Sequence, residues 1–121
     1  MATVPASYEH SRACFRSRLD LLTPRWPSGR LSEIVHAPGL VTDILQVEPM
    51  GEKQRLLVLS TGLHGIEGYL GSAVLELFFE EFLPQLDPQT TGLLLIHAIN
   101  PWGMKNWKRT NPANVDLNRN F

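Results

Sequence analysis

The chain has 121 residues, 43% of them hydrophobic and 19% charged, which are the proportions of one ordinary globular domain. Its formal net charge of -1 leaves no basic surplus to bind a phosphate backbone, so nucleic acid is not an expected partner. A single cysteine, Cys14, excludes an internal disulfide and fits a reducing compartment. The N-terminal residues show no secretory-signal pattern, and the longest apolar stretch is far shorter than the roughly 20 residues that span a bilayer. We therefore expect a soluble, cytoplasmic protein without a membrane partner.

The first part of the chain is predicted to contain one helix and a β-hairpin. Apolar residues at helical spacing predict a helix from about Tyr8 to Leu22, with Ser7 as its N-cap. Short strands are favoured from Ile34 to His36 and from Leu40 to Val47, and Pro38-Gly39 forms the turn between them.

A strand, a helix and a second strand are predicted next. Arg55 to Ser60 is a continuous apolar run, typical of a strand buried on both sheet faces, and a glycine-rich loop follows from Thr61 to Gly68. Tyr69 to Leu83 has the spacing of a helix that ends at Pro84, and Leu93 to Ile99 is predicted to be another buried strand. The predicted inward face of the helix consists of Leu70, Val74, Leu77 and Phe78, and its predicted outward face of Glu76, Glu80 and Glu81.

This order of elements predicts an α/β fold with a mixed, mostly parallel sheet flanked by helices. The strand–helix–strand segment should form a right-handed parallel βαβ unit, and the preceding hairpin makes the sheet mixed. A sheet ending at this fourth strand would leave an apolar edge, so we expect the 121 residues to be the N-terminal portion of a larger catalytic domain. Because the carboxyl ends of parallel strands share one sheet edge, the loop after Ser60 and the segment from Asn100 should meet in one crevice.

Two residues of the glycine-rich loop have the chemistry of metal ligands. His64 and Glu67 are three residues apart, and an imidazole and a carboxylate are standard ligands of catalytic zinc, which takes three protein ligands and a water. Gly65 and Gly68 would relieve backbone crowding around them. The alternative is a loop histidine that forms a hydrogen bond with a nearby carboxylate.

The glycines of the same loop allow a second interpretation. Gly62, Gly65, Gly68 and Gly71 recur every three residues between a strand and a helix, as in a turn that binds phosphate. The loop has no lysine and matches neither common nucleotide-binding pattern, and Glu67 would repel a phosphate. Nucleotide binding is therefore the weaker interpretation.

The C-terminal segment supplies groups suited to binding a carboxylate. Arg109 and Arg119 each offer a planar guanidinium that can form two hydrogen bonds to such a group, and Asn118 can add a donor. An arginine near a metal can also stabilise the oxyanion that forms when water attacks a carbonyl. For each arginine the alternative is a solvated surface charge or an ion pair with a residue such as Asp116.

Taken together, these motifs resemble those of the zinc carboxypeptidase family. The closest likeness is to its bacterial branch with an HGxEG loop and an NVDLNRNF segment. The resemblance is carried mainly by residues from Arg55 onward, in four motifs that occur in the family's order. They are the loop from Thr61 to Gly68, Asn100-Pro101-Trp102-Gly103, Arg109-Thr110-Asn111, and the segment from Val115 to Phe121.

The resemblance implies a role for each matching residue. His64 and Glu67 match the first two ligands of one Zn²⁺ ion. Arg109 matches the arginine that polarises the scissile carbonyl, with Lys108 as the alternative at the adjacent position. Asn118 and Arg119 match the pair that binds the substrate's terminal carboxylate. The family's third zinc ligand and its general-base glutamate lie beyond these motifs, so this chain alone is expected to bind zinc weakly and to be inactive.

The implied function is a zinc metallocarboxypeptidase that removes a C-terminal amino acid from a peptide by means of metal-activated water. A related alternative is an amidohydrolase that cleaves N-acyl amino acids, similar to succinylglutamate desuccinylase and aspartoacylase, which share the HGxE loop and the DLNR segment. An alternative of another class is a non-catalytic module that binds carboxylates. The sequence does not specify the oligomeric state.

Overall fold

The structure is a computed structural model that describes residues 2–121. Its strands are β1 (Arg30–Ala37), β2 (Leu40–Val47), β3 (Arg55–Ser60) and β4 (Thr91–His97). Its α-helices are α1 (Tyr8–Ser17), α2 (Leu19–Leu22), α3 (Gly68–Leu77) and α4 (Pro101–Lys105). The boundaries of β2 and β3 agree with those predicted from the sequence. The fold class is α/β, as predicted.

The four strands form one mixed sheet in the order β1-β2-β4-β3. The predicted hairpin is present, since β1 pairs with β2 in antiparallel orientation and Gly39 has a φ of 73° in the connecting turn. The predicted βαβ unit is also present, because β3 and β4 are parallel neighbours. The prediction of a mostly parallel sheet is wrong for residues 2–121, since β2 and β4 also pair in antiparallel orientation. The chain returns from β3 through α3 to insert β4 beside the hairpin.

The N-terminal helix forms where it was predicted but is interrupted at Arg18. The Ser7 side chain accepts a hydrogen bond from the His10 backbone amide, which confirms the predicted N-cap. The Arg18 amide bonds to the carbonyl of Phe15, and this tighter turn separates α1 from α2. Tyr8, Phe15 and Leu22 are buried, as the helical spacing predicted.

The core lies between these helices and one face of the sheet. It includes Phe15, Leu22, Trp26, Leu45, Val47, Leu75, Phe79, Leu83, Leu93 and Leu95. Trp26 is completely buried, and its indole Nε1 donates to the Thr91 carbonyl at 2.8 Å. This hydrogen bond connects the segment before β1 to the start of β4. The strand β4 begins and ends two residues earlier than predicted.

The prediction that β3 is buried on both faces is wrong. The order of strands places β3 at the edge of the sheet, where Leu56 and Val58 are each about half exposed. Leu57 and Leu59 point to the other side and pack against the core. An apolar strand therefore has one covered face and one open face.

The orientation predicted for α3 is wrong along most of the helix, although Phe78 packs against the core and Glu80 and Glu81 are exposed, as predicted. Leu70 and Val74, expected to face the core, are 64% and 58% exposed, whereas Ser72 and Leu75 are buried. Glu76, expected to face water, is only 17% exposed at its side chain and pairs with Arg18. The helix continues through a π-helical turn (Phe78–Phe82) and a 3-10 turn (Leu83–Gln85) that contains Pro84, rather than ending before this proline. None of the helices in residues 2–121 is long and apolar enough to cross a membrane.

Candidate metal and carboxylate site

The loop after β3 and the segment after β4 lie side by side at one edge of the sheet, as the sequence predicted. The Ile99 amide donates to the Thr61 carbonyl at 3.0 Å, and the Asn100 amide donates to the Gly62 carbonyl at 2.7 Å. Further along the loop, the Ile66 amide donates to the carbonyl of Lys108 at 3.2 Å. These bonds hold the loop against the chain that carries the predicted arginine.

Gly65 allows this close approach. A Cβ atom at position 65 would lie 1.9 Å from the carbonyl carbon of Gly103, a distance that no side chain can occupy. Gly62 has a φ of 68°, a left-handed conformation that favours glycine. Backbone geometry therefore requires glycine at positions 62 and 65. The regular spacing of these glycines has an explanation other than a phosphate-binding turn.

Asn100 fixes the other wall of the crevice. Its Oδ1 accepts from the Gly103 amide at 2.9 Å and caps α4, while its Nδ2 donates to the Thr110 carbonyl at 3.0 Å. The segment expected to be a turn after the strand is therefore the start of α4, with Pro101 in its first turn. One buried amide side chain holds both ends of the segment from 100 to 110.

The imidazole of His64 lies between two carboxylates. Its Nδ1 is 3.0 Å from Oε2 of Glu67, and its Nε2 is 2.9 Å from Oδ1 of Asp116. The His64 side chain is only 10% exposed, whereas that of Glu67 is 64% exposed. The two predicted metal ligands therefore converge at the open side of the crevice.

A neutral imidazole can satisfy only one of these two contacts, because it carries one N–H. If Nε2–H donates to Asp116, the lone pair of Nδ1 faces the Glu67 carboxylate, and two acceptors point at one another. A cation between them would resolve this conflict. A protonated ring that donates to both carboxylates would also resolve it, which corresponds to the alternative of a hydrogen-bonded loop histidine.

Asp116 connects the histidine to the C-terminal motif. Its Oδ2 accepts from Nε of Arg109 at 2.9 Å, and its Oδ1 also accepts from the Asn118 amide at 2.9 Å. The hydrogen bond from Arg109 is the largest of the effects that lower the pKa of Asp116 to about 2, with smaller contributions from Asn118 and His64. Asp116 is thus ionised at neutral pH and holds the guanidinium beside the imidazole.

The predicted carboxylate-binding pair follows immediately on a 3-10 turn (Leu117–Arg119), whose N-cap is Asp116. The Arg119 guanidinium is exposed and donates to the Asn118 carbonyl at 2.9 Å. Arg109 therefore forms the ion pair with Asp116 that was the alternative interpretation for each arginine, and Arg119 remains open to solvent.

The other histidines and the tryptophans lie elsewhere. His97 on β4 is 1% exposed and therefore belongs to the interior, while His10 and His36 are exposed. Trp26 is in the core, and Trp107 stacks on Tyr69 with ring centroids 4.4 Å apart.

The sequence interpretation missed the roles of Asp116 and Asn100. Asp116 was considered only as a partner for an arginine, although a carboxylate on the second nitrogen of a metal-binding histidine is a common arrangement. The signal for Asn100 was the Asn-Pro pair, a typical helix start. Among residues 2–121, no group of three or more histidine, cysteine, aspartate and glutamate side chains is arranged to hold a metal ion.

The sequence matches one known family over almost its whole length. The match covers residues 7–121, and the family is described as a protein of unknown function, DUF2817. None of the curated proteins matches the chain. Because the match includes both the His64 loop and the C-terminal motif, the chain belongs to the DUF2817 family.

Proposed function

We propose that this chain carries part of the active site of a zinc-dependent hydrolase of the carboxypeptidase type. One observation carries the proposal: His64 presents Nδ1 to Glu67 while Asp116 holds its Nε2. A carboxylate on the far nitrogen fixes the tautomer that leaves the near nitrogen free to bind a metal, and it makes that nitrogen a stronger donor. The likeness of the four motifs to those of zinc carboxypeptidases supports the same function.

The donor set fits zinc as two of its three protein ligands. His64 supplies a neutral nitrogen and Glu67 a carboxylate oxygen, both of which zinc accepts. A bound zinc would lower the pKa of a water molecule and polarise a carbonyl oxygen. Asp116 keeps the imidazole oriented for this task through a contact of 2.9 Å.

The arginines would bind and orient the substrate. Nε of Arg109 is held by Asp116, which leaves the two terminal nitrogens of its guanidinium to donate to the carbonyl oxygen of the scissile bond. Arg119 and Asn118, on the next turn, would bind a terminal carboxylate through hydrogen bonds with charge assistance. A peptide with a free C-terminus offers both groups, as does an N-acyl amino acid.

Titration calorimetry with Zn²⁺ tests the metal site. We expect this chain to bind zinc with a dissociation constant weaker than about 1 µM, because it supplies one ligand fewer than a catalytic zinc site uses. His64→Ala and Glu67→Gln should each abolish the binding. His10→Ala, an exposed histidine on α1, is the matched control and should leave it unchanged. Equal zinc binding by the wild type and His64→Ala would disprove the proposed metal site.

A comparison of substrates tests the reaction. We propose that this chain alone hydrolyses neither peptides nor N-acyl amino acids, since two protein ligands do not complete a catalytic zinc site. A zinc-loaded protein that contains this chain together with the remaining ligand should remove C-terminal residues from peptides. Preferential cleavage of N-acyl amino acids would favour the amidohydrolase instead. Carboxylate binding without turnover of either substrate would favour the non-catalytic module.

A further inference from the structure

A second polar cluster lies beneath the site, in the interior between α1, α3 and β4. The hydroxyl of Ser11 is 2.7 Å from Nε2 of His97 and 2.7 Å from the hydroxyl of Ser72. The Ser72 hydroxyl in turn donates to the Gly68 carbonyl at 2.8 Å. All three side chains are at least nine-tenths buried, with exposures of 2% for Ser11, 8% for Ser72 and 1% for His97.

The four groups form a hydrogen-bond chain that has only one possible direction. The Gly68 carbonyl can only accept, so Ser72 must donate its single hydroxyl proton to it. Ser72 therefore accepts from Ser11, and Ser11 must accept from Nε2–H of His97. The neutral ring is then the Nε2–H tautomer and carries no proton on Nδ1, a buried atom that has no hydrogen-bond partner among residues 2–121. Burial lowers the pKa of His97 to about 4, so the ring is neutral at physiological pH.

The hydrogen-bond chain ends at Gly68, which is the residue next to the proposed zinc ligand Glu67. Gly68 begins α3, and Glu67 is the residue immediately before it, with its carbonyl accepting from the Gly71 amide at 2.9 Å. The bond from Ser72 to Gly68 is local, because it joins residues four positions apart in the same helix. Such a bond alone would not fix the helix to its surroundings. Here the Ser72 hydroxyl is linked through Ser11 to His97 on β4. These hydrogen bonds fix the position of the start of α3 relative to the sheet.

We propose that Ser11, Ser72 and His97 are positioning residues that hold the first turn of α3, and with it the Glu67 carboxylate, in place for metal binding. This inference rests on the proposed function, because it assigns the cluster to the zinc site. The cluster touches neither metal nor substrate. It acts on Glu67 only through the backbone of Gly68.

Zinc titration of variants tests the inference in the complete 121-residue chain. Ser72→Ala removes the donor to Gly68, and Ser11→Ala removes the link to His97. Each is expected to weaken zinc binding by about tenfold, the range found when residues supporting metal ligands are replaced. Ser72→Thr keeps the hydroxyl, and Ser72 lines a cavity of about 120 Å³. We therefore expect this variant to bind zinc within about twofold of the wild-type affinity.

Ser17→Ala is the matched control. Its hydroxyl donates to the Cys14 carbonyl at 2.7 Å within α1, outside the hydrogen-bond chain that ends at Gly68. If Ser11→Ala and Ser72→Ala bind zinc as tightly as the wild type while His64→Ala does not bind it, the positioning role is disproved and the metal site stands. Zinc binding that is unchanged in His64→Ala as well would disprove both.

A spectroscopic measurement on the unmodified chain tests the same inference without any variant. Long-range ¹H–¹⁵N correlation of the His97 ring should show a protonated Nε2 and a bare Nδ1 at neutral pH. If the ring is protonated at Nδ1, Ser11 must donate to Nε2, and Ser72 cannot then donate to both Ser11 and the Gly68 carbonyl. One link between His97 and Gly68 would be missing, and the inference would be wrong.

Discussion

Gly65 is the position where the candidate site tolerates least change. Its backbone lies against Gly103, and an added Cβ would be 1.9 Å from a backbone carbon that cannot move independently. The loop and α4 would therefore have to separate, which would also stretch the bond between the Ile66 amide and Lys108.

We predict that Gly65→Ala destabilises the chain by about 2 kcal/mol or more, at the upper end of the usual cost of overpacking. Gly71→Ala is the matched control, because a Cβ there would lie 3.4 Å from the side chain of Thr61, an ordinary contact. Since Gly71 is inside α3, its replacement should stabilise the helix by up to about 1 kcal/mol. Urea denaturation of both variants measures the difference, and equal stabilities would contradict the prediction.

His97 makes stability depend on pH. Its pKa falls from 6.5 to about 4 in the folded state, chiefly because of burial, while the nearby Asp43 carboxylate opposes the shift and Arg12 adds slightly to it. Between these values the unfolded chain binds a proton that the folded chain does not. Unfolding is therefore increasingly favoured as the pH falls from 6.5 to about 4.

We predict that this histidine contributes about 3 kcal/mol of stability at neutral pH that is lost across that window, at about 1.4 kcal/mol per pKa unit. Urea denaturation at several pH values measures the slope. Glutamine in His97→Gln offers an N–H donor from its side-chain amide but does not titrate. The stability of this variant should therefore depend much less on pH between 4 and 6.5. A wild-type slope that persists in this variant would show that other groups cause it.

Residues were predictable from the sequence where their partners are close in the chain. His64 and Glu67 are three positions apart, and the structure brings their side chains together. Asp116 contacts His64 across 52 positions, a contact that depends on the packing of two loops and has no local signature. The hydrogen-bond chain of Ser11, Ser72 and His97 joins residues from three elements, and it also has no local signature in the sequence.

Among the elements, α3 is apolar on both sides. Leu75 is 5% exposed and packs in the core, whereas its neighbour Val74 is 58% exposed. Exposed Leu70, Leu77 and Phe82 line the same groove as Val74, with a volume of about 480 Å³. Helical spacing alone therefore could not reveal which face is turned toward the sheet.

We predict that Leu75→Ala costs about 2 to 4 kcal/mol of stability, as is usual for a leucine in a packed core. Val74→Ala should change stability by less than about 0.5 kcal/mol, because the side chain is already exposed to solvent. Thermal or urea denaturation distinguishes the two. A larger loss for Val74→Ala than for Leu75→Ala would mean that the helix is turned the other way.

The boundaries of two strands were predictable, whereas β1 begins four residues before the predicted Ile34 and β4 two residues before the predicted Leu93. β2 and β3 begin and end where the sequence predicted, since turn residues flank both of them. The burial of β3 depends on its place in the sheet, and its apolar run is equally compatible with a central and an edge strand. The order β1-β2-β4-β3 is a property of the whole chain.

At the scale of the whole molecule, the N-terminal helices are joined to the sheet by specific polar contacts as well as by the core. The Tyr8 hydroxyl donates to the Val41 carbonyl at 2.6 Å and accepts from the Val41 amide at 2.9 Å. Asp43 is completely buried at its side chain and pairs with Arg12 and Arg16 of α1. These contacts fix α1 over the hairpin, and α1 in turn carries Ser11 to His97.

The open edge of β3 has a practical consequence for work with this polypeptide in solution. Within residues 2–121, β3 pairs only with β4, so its outer edge has unpaired backbone groups. Together with the exposed side chains of Leu56 and Val58, this edge is a template on which other chains can aggregate. Dynamic light scattering should therefore show growth in particle size as the concentration rises. Val58→Lys, a charge placed on the open face, should suppress that growth and improve colloidal stability without loss of the fold.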